Sequence, residues 1–321
     1  MVRILAILGL IFTVVIGGAA VFVVRFKPAQ RPPSTDVVER TPARIERGRY
    51  LVNNVLGCFD CHADRDLTRY GGPLKGPLGA GGECFGEREK FPGTLCMPNI
   101  TPHPTSGIGN WTDGEIKRAI REGIGRDGQA LFPIMPYTEY KALSEEDTNA
   151  AVAYLRTIES VDKVVPRAHI EFPVKYFIKL APKPLDGPVA DPPAGDRLAL
   201  GKYLARVSGC ISCHTPVDKR HLPIAGQELS GGQEFTGPFG TLRSANLTPH
   251  ATGLGDRTEA AFVGLFKAFA GPPESLPAVT PDANTVMPWT SRAQLTEADL
   301  GAIYAYLRSV PAIERAVEKR T

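Results

Sequence analysis

Cys58-Phe59-Asp60-Cys61-His62 is written a second time, 152 residues on, as Cys210-Ile211-Ser212-Cys213-His214. Two cysteines one helical turn apart, followed at once by histidine, suit a covalently held porphyrin: the thiols reach its two vinyl groups and the imidazole takes a position on iron. A single C-x-x-C lacking the histidine would read equally as a redox dithiol, half a zinc site or a disulfide. Two occurrences with histidine assign two covalently bound haem c groups. Cys58, Cys61, Cys210 and Cys213 are then the attachment thiols, and His62 and His214 the proximal ligands.

The spacing of a second ligand supports this. Of four methionines, Met135 and Met287 are each followed by proline and an aromatic residue, and each lies 73 residues after its histidine, His62 or His214. A thioether is a soft ligand suited to the sixth position of a haem iron, and His/Met ligation raises the reduction potential. The alternative is that both fill gaps in a core. Met97 is a rival in the first half and has no counterpart in the second.

At 321 residues, 43% hydrophobic and 22% charged, the chain has room for two ordinary domains, and its net charge of +3 gives no reason to expect a nucleic-acid partner. Ile4 to Val24 is free of charge between Arg3 and Arg25. As a helix that run would be about 31 Å long, enough to cross a bilayer, so the expectation is an uncleaved transmembrane helix rather than a signal peptide. Arg25, Lys27 and Arg31 follow the run while only Arg3 precedes it, which by the positive-inside rule alone would leave the rest in the cytoplasm. Covalent haem attachment overrides that rule here, and the expected location is the inner membrane, single-pass, with the haem domains on the periplasmic side. Cys84 and Cys96, the two cysteines outside the motifs, fit a disulfide in an oxidising compartment, worth about 3 kcal/mol in the chain-entropy model. A free thiol or a metal site is the alternative for them.

Lys27 to Pro42 is polar and reads as a tether. A helix is expected from about Ala43 to Cys58, then a Gly/Pro-rich insertion, Gly71 to Pro98, without a counterpart in the second half. Asn99-Ile100-Thr101-Pro102-His103 is repeated as Asn246-Leu247-Thr248-Pro249-His250, each followed by a glycine-rich turn. Asn99, Thr101, Trp111, Asn246, Thr248 and Arg257 are the candidate contacts to haem propionates. His103 and His250 read as structural hydrogen-bonding groups, with iron ligation as the alternative. Thr112 and Glu115 form a capping box for a helix to about Glu122. Ser144 and Thr296 open the last helix of each half, and the 152-residue period recurs at Tyr154-Leu155 and Tyr306-Leu307. Val161 to Asp196, with seven prolines, is an inter-domain connector.

The two C-x-x-C-H segments, the Asn-x-Thr-Pro loops with Gly-Ile-Gly or Gly-Leu-Gly after them, and the two Met-Pro pairs resemble the multi-haem cytochrome c subunits of membrane-bound bacterial alcohol and gluconate dehydrogenases. The resemblance covers nearly everything beyond residue 40. It departs in having two haem domains where those subunits commonly have three, and in placing the membrane helix at the N-terminus. What it implies is an all-α fold of two tandem class I-like cytochrome c domains behind an N-terminal transmembrane helix. The expected division is anchor 1–27, tether 28–42, first domain 43–160, connector 161–195, second domain 196–313 and tail 314–321.

The implied role is single-electron transfer at the outer face of the membrane, without catalysis by the chain itself, as the electron-accepting subunit of a membrane-bound dehydrogenase. Its partners would be dehydrogenase or oxidase subunits or a soluble cytochrome, and no nucleic acid. The alternatives are a dihaem subunit of a terminal oxidase or other respiratory or photosynthetic complex, and a dihaem peroxidase, which would need one haem with an open sixth position.

Overall fold

The computed structural model describes residue 17, residues 23–237 and residues 239–321. Each half begins with a helix that crosses the last helix of the same half. In the first half these are α1, Pro42–Tyr50 continuing as a π-helical turn over Leu51–Val55, and α5, Glu145–Leu155. Between them lie α2 (Cys58–His62), α3 (Asp113–Glu122) and the short α4 (Tyr137–Tyr140). After the connector helix α6 (Val174–Phe177), the second half repeats the set as α7 (Arg197–Val207), α8 (Cys210–Cys213), α9 (Glu259–Lys267), α10 (Trp289–Arg292) and α11 (Glu297–Ser309).

The helix starts follow from the sequence. Thr41, Thr112, Ser144, Thr258 and Thr296 each accept a backbone N–H from their own helix's first turn, and Glu115 returns a bond to Thr112 N–H at 2.8 Å to complete the capping box. The two crossings depend on glycine. A Cβ at Gly48 would lie 1.9 Å from Ala150 O, and one at Gly201 would lie 1.9 Å from Ala302 O. With no side chain there, α1 seats on α5 and α7 on α11, burying Val52, Val55, Val152 and Leu155 in one half and Leu204, Val207, Ile303 and Leu307 in the other.

Gly48 to Cys58 is one residue longer than Gly201 to Cys210. The extra residue is absorbed as the π turn, in which Leu56 N–H reaches back to Leu51 O at 2.8 Å. Both helices therefore deliver the C-x-x-C-H segment in the same place.

Two parts of the expected fold class are corrected. The domains are not all-α. Among the described residues seven short strands form three small antiparallel sheets: β1 (Asp64–Arg65) with β2 (Leu74–Lys75), β3 (Cys84–Phe85) with β4 (Gly93–Cys96) and β5 (His169–Ile170), and β6 (Glu234–Gly237) with β7 (Gly240–Arg243). The glycine-punctuated stretch between each histidine and each Asn-x-Thr-Pro loop has no helical period, and it closes as a hairpin instead. The transmembrane helix is the second correction. Among the described residues no helix is long and apolar enough to cross a membrane. The longest α-helix among the described residues, α11, has 13 residues, roughly 20 Å at 1.5 Å per residue, and its apolar face is spent on the core. The run Ile4 to Val24, apart from Gly17, Val23 and Val24, lies outside the described residues.

The hairpins also revise the reading of Gly71 to Pro98. The second half has the counterpart in β6–β7, shorter by a few residues, and Cys84 opposite Cys96 occupies the register held there by Glu234 opposite Arg243. The chain beyond each last helix then returns to its hairpin, as the third strand β5 in the first half and as an isolated bridge at Arg320 in the second. Gly93 and Thr94 pair with Ile170 and His169, while Arg243 N–H donates to Lys319 O at 2.9 Å and Thr321 N–H to Thr241 O at 3.1 Å.

Segments read as tether and connector lie on the first half. Val38 is buried with its N–H on Asp113 at 2.9 Å, Arg31 pairs with Glu122 at 2.9 Å, and Glu145 N–H donates to Val189 O at 2.9 Å.

Candidate haem sites and the seam between the halves

Each C-x-x-C-H segment follows a glycine in the left-handed conformation, Gly57 with φ 64° and Gly209 with φ 79°. That residue ends the preceding helix and starts a fresh turn, with its two cysteines three positions apart and so on one side. The four motif thiols are not joined in disulfides, whereas Cys84 and Cys96 are. Burial pushes the Cys58 thiol up to about 12 and the Cys210 thiol up to about 11.

His62 and His214 are buried, each 9% exposed. Nδ1 of His62 lies 2.7 Å from Pro98 O, and Nδ1 of His214 lies 2.7 Å from Ala245 O. A carbonyl only accepts, so both Nδ1 atoms carry the proton and Nε2 keeps its lone pair. Burial lowers both pKa values and holds the rings neutral. A neutral imidazole oriented through its Nδ1–H is the arrangement in which histidine binds a metal ion. The carbonyls come from the residue preceding Asn99 and the residue preceding Asn246, so the Asn-x-Thr-Pro loop sets the ring orientation in both halves.

Met135 and Met287 are half-buried, each just before a proline in matched conformation (Pro136 φ −80°, ψ 46°; Pro288 φ −77°, ψ 62°) that caps α4 or α10. These short helices are tied back to the attachment turns. Tyr140 Oη donates to Leu56 O at 2.8 Å, and at the equivalent place Arg292 Nη2 donates to Ser208 O at 3.1 Å. Met97 is buried, and its carbonyl accepts Gly82 N–H within the β3–β4 hairpin.

The side chains named as propionate contacts have other partners. Asn99 Nδ2 donates to Val161 O at 2.8 Å and Lys163 O at 3.1 Å, while its Oδ1 accepts from Thr101 N–H and Oγ1. Asn246 and Thr248 repeat this with Ile313 O at 2.9 Å. They pin the chain that leaves each last helix. Trp111 is half-buried against the core, and its carbonyl accepts from Arg156. Arg257 is exposed, and its carbonyl accepts Tyr304 Oη at 2.7 Å. His103 Nδ1 holds Ser106 and His250 Nδ1 holds Thr252, so both brace their own loops.

The seam between the halves has pseudo-twofold symmetry. Tyr50 Oη donates to Asp299 and accepts Thr296 N–H at 3.1 Å; Tyr203 Oη donates to Asp147 at 2.7 Å and accepts Ser144 N–H at 3.4 Å. Burial, reinforced by Asp299, raises the Tyr50 hydroxyl to about 12. Away from that axis, Asn284 accepts Gly71 N–H at 2.9 Å and donates to Leu67 O and Arg69 O. The repeat also carried a signal for this seam that motif reading passes over: buried Arg292 stands where its partner half has Tyr140.

Two helical domains, each presenting a C-x-x-C turn and a neutral buried histidine with Nε2 open, define a c-type haem protein. The chain belongs to the cytochrome c family, whose model matches residues 45–159 and 198–311. It is an electron-transfer haem protein, and the family binds its haem covalently. It is similar to the fructose dehydrogenase cytochrome subunit of Gluconobacter japonicus, 31% identical over 304 residues, covering 90% of this chain and 56% of that protein. It is similar also to the cytochrome c subunit of alcohol dehydrogenase (quinone) of Komagataeibacter europaeus, at 30% over 293 residues, 84% of this chain and 57% of that protein. A diheme cytochrome c-type protein of Cereibacter sphaeroides is 29% identical over 265 residues, 80% of this chain and 83% of that protein. The chain thus spans a little over half the length of the two dehydrogenase subunits.

Proposed function

We propose that this chain is a dihaem cytochrome that relays single electrons from a dehydrogenase to a further acceptor, outside the cytoplasm. The observation that carries this is the repeated histidine: His62 and His214 are both neutral, both fixed through Nδ1 by the same loop position, and both preceded by two uncrosslinked cysteines. Cys58 and Cys61 hold one haem and Cys210 and Cys213 the other; His62 with Met135 and His214 with Met287 are the axial pairs. Haem, when bound, supplies a one-electron couple, and His/Met ligation places it at high potential. The protein's part is to fix ring and thioether orientation, exclude water, and leave an edge of each site near the surface for docking.

A dehydrogenase as electron donor is supported by the relatives' names, two of which specify a dehydrogenase subunit. An oxidising compartment is supported by the Cys84–Cys96 disulfide. The experiment is extraction of the native protein under mild conditions, with haem counting and mass spectrometry of what stays bound. Two covalent haems per chain and a co-purifying quinoprotein or flavoprotein dehydrogenase are the expected result. An oxidase in its place would overturn the donor assignment, and a single haem would overturn the dihaem one. Met287→Ala should lower the potential of one haem while both stay attached.

A further inference from the structure

Arg292 is 6% exposed and lies between the two attachment turns. Its Nη1 donates to Asn54 O of the first half at 2.6 Å, and its Nη2 to Ser208 O of the second at 3.1 Å. Asn54 lies four residues before Cys58, and Ser208 two before Cys210. The same guanidinium lies 3.8 Å from Asp60, inside the first C-x-x-C-H, and Ser291 Oγ donates to that carboxylate at 2.7 Å. It packs so closely on the first turn that a Cβ at Gly57 would come within 2.7 Å of Nη1. In the first half the equivalent residue is Tyr140, whose hydroxyl reaches Leu56 O of its own half. A phenol has one donor, whereas a guanidinium has five in a rigid fork and can satisfy a carbonyl on each side of a seam.

We propose that Arg292 is a positioning residue for electron exchange between the two haem sites: it locks the two attachment turns against each other, and its fixed charge raises both reduction potentials together. This rests on reading both C-x-x-C-H segments as haem attachment. A buried cation favours the state of a nearby redox centre that carries less positive charge, which is the reduced one, and in a poorly solvated seam that influence reaches both centres. Asp60 opposes it, and the pair sets the net field. A buried charge is tolerated only with partners, and here they are two carbonyls and one carboxylate drawn from both halves.

The test uses the full haem-loaded chain. Haem content is measured first; fewer than two covalent haems in the unaltered protein would sink the dihaem reading itself, separately from the role of Arg292. Redox titration and flash-initiated electron transfer are then compared for Arg292→Met, Arg292→Lys and Asp60→Asn. Arg292→Met is expected to lower both potentials and slow inter-haem transfer. Arg292→Lys should restore the potentials but not the rate, since one ammonium cannot hold the planar bridge. Asp60→Asn should move both potentials the opposite way, upward. A shift confined to one haem, an unchanged pair of potentials, or a downward shift in Asp60→Asn would each overturn the proposal. If Arg292→Met does not fold, the lysine and Asp60 variants decide it.

Discussion

At the β-hairpin that follows each C-x-x-C-H segment, the first half joins Cys84 to Cys96 by a disulfide, and the second sets Glu234 against Arg243 at 2.9 Å in the same register. In the first helix, the first half carries an extra residue as a π turn where the second runs regular. At the end of the methionine loop, a tyrosine in one half is an arginine in the other. What stays the same in both halves is the helix crossing at glycine, the carbonyl on the histidine Nδ1, and the asparagine staple on the departing chain. The shared geometry orients the buried histidine ring of each half. The differences fall where a cross-link, a loop length or a contact between halves can change without moving that ring.

The largest effects should come from breaking what the halves share. Gly48→Ala and Gly201→Ala each force a methyl group onto a helix backbone carbonyl, and each should cost about 3 kcal/mol, the upper range for overpacking. Denaturant unfolding followed by the haem bands of each half checks this, and markedly unequal losses would show that the crossings are not equivalent. Next come the hairpin closures. Replacing both Cys84 and Cys96 by serine should destabilise the first half by about 3 kcal/mol through the freed loop. Arg243→Ala removes an ion pair in which the arginine is half-buried and the carboxylate exposed, together with long bonds to Glu318 O at 3.3 Å and Thr321 Oγ1 at 3.4 Å, and should cost about 1 kcal/mol. Melting temperatures of the two variants rank them, and comparable losses would mean the ion pair is a closer equivalent of the disulfide than its exposure suggests.

The seam offers a smaller and symmetric test. Tyr50→Phe and Tyr203→Phe should each cost about 1 kcal/mol, the ordinary worth of such a hydrogen bond. The folded state holds the Tyr50 hydroxyl near 12, above the usual 10.0 of a free phenol, and the Tyr203 hydroxyl is raised in the same direction by burial and Asp147. Groups raised on folding contribute stability that is complete below pH 10 and fades as pH climbs through about 12. Thermal melts between pH 9 and 12 should show that loss in the unaltered chain and a shallower one in the double Phe variant. An identical alkaline profile in both would remove the tyrosines from the seam's energetics.

The sequence alone made the two C-x-x-C-H segments, the methionines 73 residues beyond them and their internal duplication legible, because an attachment motif and a residue at a fixed distance from it are spacing rules that survive any detail of packing. Helix starts were equally legible, since capping is a local affair of Thr112, Glu115, Ser144 and Thr296. The hairpins were not: Gly71 to Pro98 looked like an insertion because strand pairing joins residues whose partners are chosen by register, and the shorter Glu234–Arg243 version carries no cysteine to mark it. The roles of Asn99 and Asn246 were hidden for a similar reason, since their partners lie more than sixty residues along the chain. Only the tertiary structure decided that Arg292 of the second half reaches Asn54 and Asp60 of the first. That contact exists because two copies of one fold meet about a pseudo-twofold axis, and no spacing within either copy encodes how they meet.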